Sequence, residues 1–180
     1  LVPDKKTVLV VGGSQGAKDL NEAVVACAKK FSAWQFIHIT GERWYGVLHD
    51  EYAHFKNVAV LPYSHEIYAL MKVADLAVCR SGASTLAELT YCRLPAVLVP
   101  FPHAAANHQY YNAKILQDAG CAKIVLDDKN LPHTLQAALA ELVRRGGDKK
   151  LAAMHRAYYR LRLPNPLFAA REIVKRLRNL

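Results

Sequence analysis

The sequence predicts a doubly wound α/β domain built on six parallel strands, a Rossmann-like arrangement. Three observations predict it. Short runs rich in Val, Leu and Ile alternate with longer stretches of helical period. Those runs are nearly continuous in apolar residues, as a parallel sheet covered on both faces requires. Helix-length segments separate them, which is the pattern of crossover units.

The elements follow in order. A strand over residues 7–11 leads through a glycine-rich turn into a helix over 17–30. Strands over 35–40, 58–61, 76–79 and 96–99 are then followed by helices over about 42–53, 64–73, 83–92 and 107–119, and a sixth strand covers 123–126. Beyond it the chain reads as purely helical. Pro132 sits at a helix start and Gly146-Gly147 ends that helix, with Leu135, Ala138, Leu139 and Leu142 on one face. Asp148 is placed to cap the next helix, which runs to about Arg162. Pro164-Asn165-Pro166 breaks the chain before a last helix over 167–179. Leu167, Ala170, Val174 and Leu177 share one side of it, and Arg171, Lys175 and Arg178 lie elsewhere. That stripe packs on the sheet, on a further domain or on a membrane surface. The division expected is one domain over 1–163 and a basic amphipathic helix over 164–180.

With 180 residues, 52% apolar and 22% charged, the composition is that of an ordinary globular domain. No apolar run reaches the roughly 18 residues of a membrane span, and the N-terminus has no secretory pattern. Leu1 is not an initiator Met, so a piece of a longer chain is expected. The net charge of +9 is uneven: residues 1–143 carry 13 Lys+Arg against 13 Asp+Glu, and residues 144–180 carry 11 against 2. Such a tail suits an anionic surface, or is a solvated basic helix. Cys27, Cys79, Cys92 and Cys121 form no C-x-x-C, and reduced, cytoplasmic thiols follow as the default. Eight His residues without H-E-x-x-H or a Cys/His cluster speak against a zinc site.

Two loops carry the chemistry. The first strand runs into Gly12-Gly13-Ser14-Gln15-Gly16-Ala17, which is neither a Walker A loop nor G-x-G-x-x-G. Its glycines allow a tight turn, after which a helix start presents free N–H groups to an anion; many such turns hold no ligand. The fourth strand ends in Cys79-Arg80-Ser81-Gly82-Ala83-Ser84-Thr85-Leu86-Ala87-Glu88. Ser84 and Thr85 in the first helical turn suit phosphate oxygens, and Glu88 projects from the same face, where a carboxylate accepts both hydroxyls of a ribose. The competing reading is a plain N-cap, with Glu88 closing a capping box three residues after Thr85 or offsetting the helix dipole. In the common order 3-2-1-4-5-6, strands one and four are neighbours, and doubly wound sheets bind nucleotides outside their carboxyl ends. After strand five, Asn107-His108-Gln109 offers neutral donors and acceptors for sugar hydroxyls, or caps a helix. Near strand three, backbone around Ser64 suits the edge of a base and Tyr63 its face, or Tyr63 simply packs.

Together Gly-Gly-Ser-Gln-Gly-Ala at 12–17, Cys-Arg-Ser-Gly-Ala-Ser-Thr-Leu-Ala-Glu at 79–88, Leu94-Pro95, Val99-Pro100, Asn107-His108-Gln109 and Asn112-Ala113 resemble the C-terminal half of the MurG family. These are bacterial N-acetylglucosaminyltransferases of the two-domain GT-B architecture that make lipid II from lipid I in peptidoglycan biosynthesis, and so serve cell shape and division. The resemblance implies a UDP-N-acetylglucosamine site and an inverting transfer that needs neither cofactor nor metal; the chain has no Asp-x-Asp. By matched position, Gly13, Ser14, Gln15 and Gly16 face the diphosphate; Gly82, Ser84 and Thr85 hold phosphate; Glu88 takes the ribose. His108 and Gln109 read sugar hydroxyls, and backbone around Ser64 reads uracil. Only 11 residues precede Gly12, so the family's N-terminal domain, with the acceptor pocket for the undecaprenyl-linked substrate and the general base, is expected elsewhere; no base is assigned within 1–180. The resemblance further implies a cytoplasmic enzyme peripheral on the inner face of the plasma membrane, against anionic lipid, with the last helix crossing to the other domain. Three alternatives stay open: another UDP-sugar transferase or a UDP-sugar hydrolase on the same donor domain, a non-catalytic nucleotide-binding module, and a nucleic-acid binder. The last fits poorly, because stacking aromatics other than Tyr158 and Tyr159 are not interleaved with the tail's cations, and no nucleic acid is expected as a partner.

Overall fold

The computed structural model describes residues 2–13, 16–144, 146–161 and 174–178. Six strands form one sheet in the order β3-β2-β1-β4-β5-β6: β1 (Thr7–Val11), β2 (Gln35–Ile39), β3 (Val58–Leu61), β4 (Leu76–Cys79), β5 (Ala96–Leu98) and β6 (Ala122–Ile124). Every pairing is parallel. Helices α1 (Lys18–Lys30), α2 (Glu42–Glu51), α3 (Ile67–Val73), α4 (Ala83–Cys92) and α5 (His108–Asp118) connect them, and α6 (Leu131–Val143) and α7 (Gly147–Ala157) follow.

Alternate strand residues feed two separate cores, since successive side chains point to opposite faces of a sheet. Val8, Val10, Phe36, Leu76, Val78 and Val97 face α1, α2 and α6, where Leu20, Val24, Leu48, Leu135 and Leu139 meet them. Leu9, Ile37, Ala77, Cys79 and Leu98 face α3, α4 and α5 through Met71, Leu89 and Leu116. This double coverage is why the strands read as unbroken apolar runs. α7 links the two layers: Leu151 and Met154 belong to the first core, and Tyr158, just beyond the helix, to the second. The Tyr158 hydroxyl donates to the Leu94 carbonyl at 2.7 Å inside that core.

Several boundaries differ from expectation. β6 lies at Ala122–Ile124 and not over 123–126. Val125 still donates its N–H to Leu98, but Leu126 turns outward and is 54% exposed. α3 starts at Ile67, because the Ser64 hydroxyl accepts the Glu66 N–H and holds a turn where the helix was expected to open. Gly146 at φ 91° precedes α7 and places Asp148 within the first turn, so Asp148 is not the cap. Of the expected last helix, only 174–178 fall within the described residues; Val174 and Leu177 are exposed there.

Candidate functional site

Register fixes the site. Val11, the last residue of β1, pairs with Cys79, the last of β4, so Gly12 and Arg80 leave the sheet side by side. The chain therefore enters α1 and α4 from one crevice, at the point where winding reverses: β2 and β3 lie to one side, β4, β5 and β6 to the other.

The β1 turn is held by the Gly16 N–H donating to the Gly13 carbonyl at 3.0 Å. Gly13 (φ 88°) and Gly16 (φ 71°) both occupy the left-handed region that side chains disfavour. At Gly16 a Cβ would also run into the Thr40 carbonyl and come within 2.6 Å of the Trp44 ring. Thr40 is itself anchored: the Asn21 amide donates to its carbonyl at 3.1 Å. Because that amide donates, Asn21 Oδ1 must accept, which assigns the proton to His38 Nε2 (3.1 Å) and leaves His38 Nδ1 to accept the Tyr52 hydroxyl (2.9 Å). His38 is fully buried, and desolvation lowers its pKa to about 3, so it stays neutral. The glycine turn thus rests on a closed polar network that sequence reasoning missed; three polar residues scattered over two helices and a strand leave no local pattern. Ser14 and Gln15 lie outside the described residues.

At α4 the cap is Gly82, and no side chain caps the helix. The capping-box alternative therefore fails: Ala83, Ser84 and Thr85 occupy the first turn, and neither hydroxyl is spent on the backbone. The amides of that turn have no intrahelical acceptor and point into the crevice. One turn along, Glu88 is half-buried and has no hydrogen-bond or ion-pair partner among the described residues. Burial pushes its carboxyl above the ordinary carboxylate value. Its charge also reaches Cys79, whose fully buried thiol is pushed up to about 12 by desolvation first and by Glu88 second.

The third wall is the segment after β5. The Gln109 side-chain oxygen accepts N–H groups from both Ser81 (3.3 Å) and Phe101 (3.0 Å). The Ser81 hydroxyl donates to the Gln109 carbonyl at 2.8 Å, and the Asn112 amide to the Ser81 carbonyl at 3.2 Å. Gln109, expected only to read hydroxyls, therefore ties the β4 and β5 exits together, with its side-chain amide hydrogens left over. His108 donates from Nδ1 to the Ala105 carbonyl at 2.9 Å, which turns the Nε2 lone pair outward as an acceptor. Just before it, Ala106 (φ 48°) and Asn107 (φ 54°) are consecutive left-handed residues without glycine, a strained entry held by this bonding.

Arg80 also escaped the sequence reading. Its guanidinium donates to the Val99 and Pro100 carbonyls at 3.1 and 3.3 Å and lies 5.6 Å from the Phe101 ring centroid. It approaches Asp127 Oδ2 to 2.6 Å, as a charge pairing and not an aligned hydrogen bond. The pair is nearly sealed, with the side chains 11% and 4% exposed. Nothing local in the sequence links a residue after β4 to one after β6.

At the far side of the crevice, the Ser64 turn follows β3, with the half-exposed Tyr63 ring 4.9 Å from His65. Among the described residues no group of three His, Cys, Asp or Glu is placed to hold a metal, and no helix is long and apolar enough to cross a membrane.

Comparison with known proteins places this geometry in context. Residues 7–175 match the family described as Glycosyltransferase family 28 C-terminal domain. The chain is 46% identical to the UDP-N-acetylglucosamine–N-acetylmuramyl-(pentapeptide) pyrophosphoryl-undecaprenol N-acetylglucosamine transferase of Elusimicrobium minutum, which aligns with all of this chain and 50% of its own length. A protein of the same name from Desulforudis audaxviator is 40% identical over 98% of this chain and 50% of its own. The crystal structure of Acinetobacter baumannii MurG superposes with a TM-score of 0.84 at 32% identity, over 98% of this chain and 51% of that one. The chain spans about half the length of these relatives. The UDP-GlcNAc 2-epimerase from Neisseria meningitidis shares the fold at a TM-score of 0.63 and 15% identity.

Proposed function

The chain belongs to the glycosyltransferase family 28 C-terminal-domain family, and from that premise we propose that it is the donor-binding half of an inverting N-acetylglucosaminyltransferase. In this reading it binds UDP-N-acetylglucosamine and presents the sugar to a lipid-linked acceptor, converting lipid I to lipid II in peptidoglycan synthesis. The donor domain in this reading is residues 1–163; 164–180, of which only 174–178 are among the described residues, is the segment assigned to contact with an acceptor domain. The names of the relatives with 46% and 40% identity support the sugar and the acceptor.

One observation carries the proposal. Glu88 is a half-buried carboxylate without a hydrogen-bond or ion-pair partner among the described residues, one turn below a helix start that no side chain caps. Partial burial without a partner costs free energy, and a ligand that supplies the donors offsets that cost. A ribose diol supplies two, and places the attached diphosphate against the amides of Ala83, Ser84 and Thr85. Gly82 keeps the backbone approachable, and Ser84 and Thr85 add hydroxyls. Gly13, Gly16 and the neighbouring Ser14 and Gln15 close the diphosphate side. His108 Nε2 accepts from a sugar hydroxyl and the Gln109 amide donates to one, while backbone at Ser64 meets the uracil edge.

Chemistry follows from where charge develops. As the glycosidic bond breaks, negative charge grows on the departing UDP, and helix-end amides already aimed there stabilise it without reorganising. The proton removed from the acceptor hydroxyl is taken by a base on the other half. The basic residues of 144–180 suit a position against anionic lipid on the cytoplasmic face of the membrane.

Calorimetric titration with UDP and UDP-N-acetylglucosamine tests the reading. Binding of both, with UDP-N-acetylglucosamine preferred over UDP-galactose, supports it. No nucleotide binding overturns it, and preference for another UDP-sugar moves the chain to a different transferase.

A further inference from the structure

We propose that the Arg80–Asp127 pair is a positioning device that sets the first turn of α4 against the diphosphate without touching it, an inference that rests on the donor-site reading above. Arg80 lies two residues before the Gly82 cap. Its side chain runs across the carboxyl ends of three strands: it leaves the end of β4, bonds the Val99 and Pro100 carbonyls just past β5, and meets Asp127 beyond β6. The two carbonyls fix where the guanidinium sits, and Asp127 fixes its charge. With Gln109 bridging Ser81 and Phe101 in the same region, the segment 80–82 is held from both of its sides. Fixing that segment fixes the direction in which the α4 amides point.

A basic residue this close to a phosphate site invites a simpler role as a direct phosphate ligand. Three observations oppose that role. The Arg80 side chain is only 11% exposed, its charge is neutralised at 2.6 Å, and two of its donors are occupied by carbonyls. A neutralised, walled-in cation has little to offer an anion, but it is well suited to hold a loop.

The two roles predict opposite signs for one substitution. Asp127→Asn keeps shape and removes charge. If Arg80 were a phosphate ligand, losing its counter-charge would tighten UDP binding. As a positioning pair, the same change loosens the α4 entry, and the affinity for UDP falls about tenfold. Uridine, which has no diphosphate, separates local positioning from general damage: its affinity stays within twofold of the parent chain.

The experiment is calorimetry of the 180-residue chain and its Asp127→Asn variant with UDP and with uridine, with thermal melting as a check on folding. A selective loss for UDP supports the proposal. Unchanged or tighter UDP binding, or an equal loss for UDP and uridine, overturns it. If Asp127→Asn does not fold, Asp127→Glu carries the test: it keeps the counter-charge but changes the length of the tie, so a positioning pair loses UDP selectively and a phosphate ligand leaves UDP binding unchanged. Failure of the parent chain to bind UDP overturns the donor-site reading and this inference with it; a parent that binds with a variant that binds equally overturns this inference alone.

Discussion

Replacing Glu88 by Ala tests the donor site at its most exposed joint. Among the described residues the carboxylate has no hydrogen-bond or ion-pair partner, so its removal breaks no such bond and relieves the cost of burying the charge, and the melting temperature is expected not to fall. In the proposed complex it accepts two ribose hydroxyls, each a hydrogen bond to a charged group. Losing both costs about 2–3 kcal/mol, since the ribose regains water on one side. At about 1.4 kcal/mol per decade, the dissociation constant for UDP rises roughly 30- to 150-fold. Calorimetry reads this directly, and inorganic pyrophosphate is the internal control. It has no ribose to shield it from a carboxylate one turn, about 5.4 Å, away. At that range a full charge repels by about 0.8 kcal/mol in water and about 3 at an effective dielectric of 20. Pyrophosphate is therefore expected to bind the Glu88→Ala chain no worse than the parent, and severalfold better if the cleft is partly dry. Parallel losses of UDP and pyrophosphate would refute the reasoning, because Glu88 would then act through the shape of α4 and not on a ribose.

Other consequences follow from the same structure. Glu88→Gln is expected to raise the melting temperature at neutral pH: the folded pKa is raised, so this group's contribution is present in acid and lost as pH climbs through that pKa, and the gain should vanish well below it. Gly16→Ala forces a left-handed alanine against the Thr40 carbonyl and should destabilise the fold by about 2–5 kcal/mol, measured by denaturant titration. His38 has a depressed folded pKa, so its contribution is intact above the unfolded value near 6.5 and erodes toward its folded value of about 3, at up to about 1.4 kcal/mol per pH unit. Unfolding of the parent and of His38→Gln at pH 7 and pH 5 should show a shallower acid loss in the variant. Tyr158→Phe strands the Leu94 carbonyl in the second core and should cost about 1–2 kcal/mol in the same assay.

The sheet was legible because its physics is local. A strand buried on both faces must be apolar throughout, and residues 7–11 or 76–79 state that within five positions. What escaped was set by partners distant in the chain. The end of β6 was misplaced because Val125 and Leu126 extend the apolar run, whereas Asp127 turns back toward Arg80. Ser64 looked like a helix start but spends its hydroxyl on a turn. Of the left-handed pair Ala106 and Asn107, only the asparagine is of a type that favours that conformation, and the alanine before it does not advertise it. The motif loops were visible while their supports were not: Asn21, His38 and Tyr52 beneath one, Arg80 and Asp127 behind the other.

That asymmetry has a reason. In the proposed donor site, backbone amides at two helix ends, each worth roughly half a unit charge, do the work a cluster of Lys and Arg would do elsewhere. Amides carry no side-chain signature, so in this reading the residues above them matter for what they leave out: Gly12, Gly13, Gly16, Gly82 and Ala83 occupy little space and would let an anion close on the backbone. An amide, however, aims only as well as the segment that carries it. A side-chain ligand can swing to find a phosphate, but a helix start cannot, and its direction must be fixed before the ligand arrives. The buried network under Thr40 and the ion pair behind Gly82 answer that need. The requirement for rigid aim also explains why polar groups with long-range partners sit beneath a site whose surface is glycine, alanine and serine.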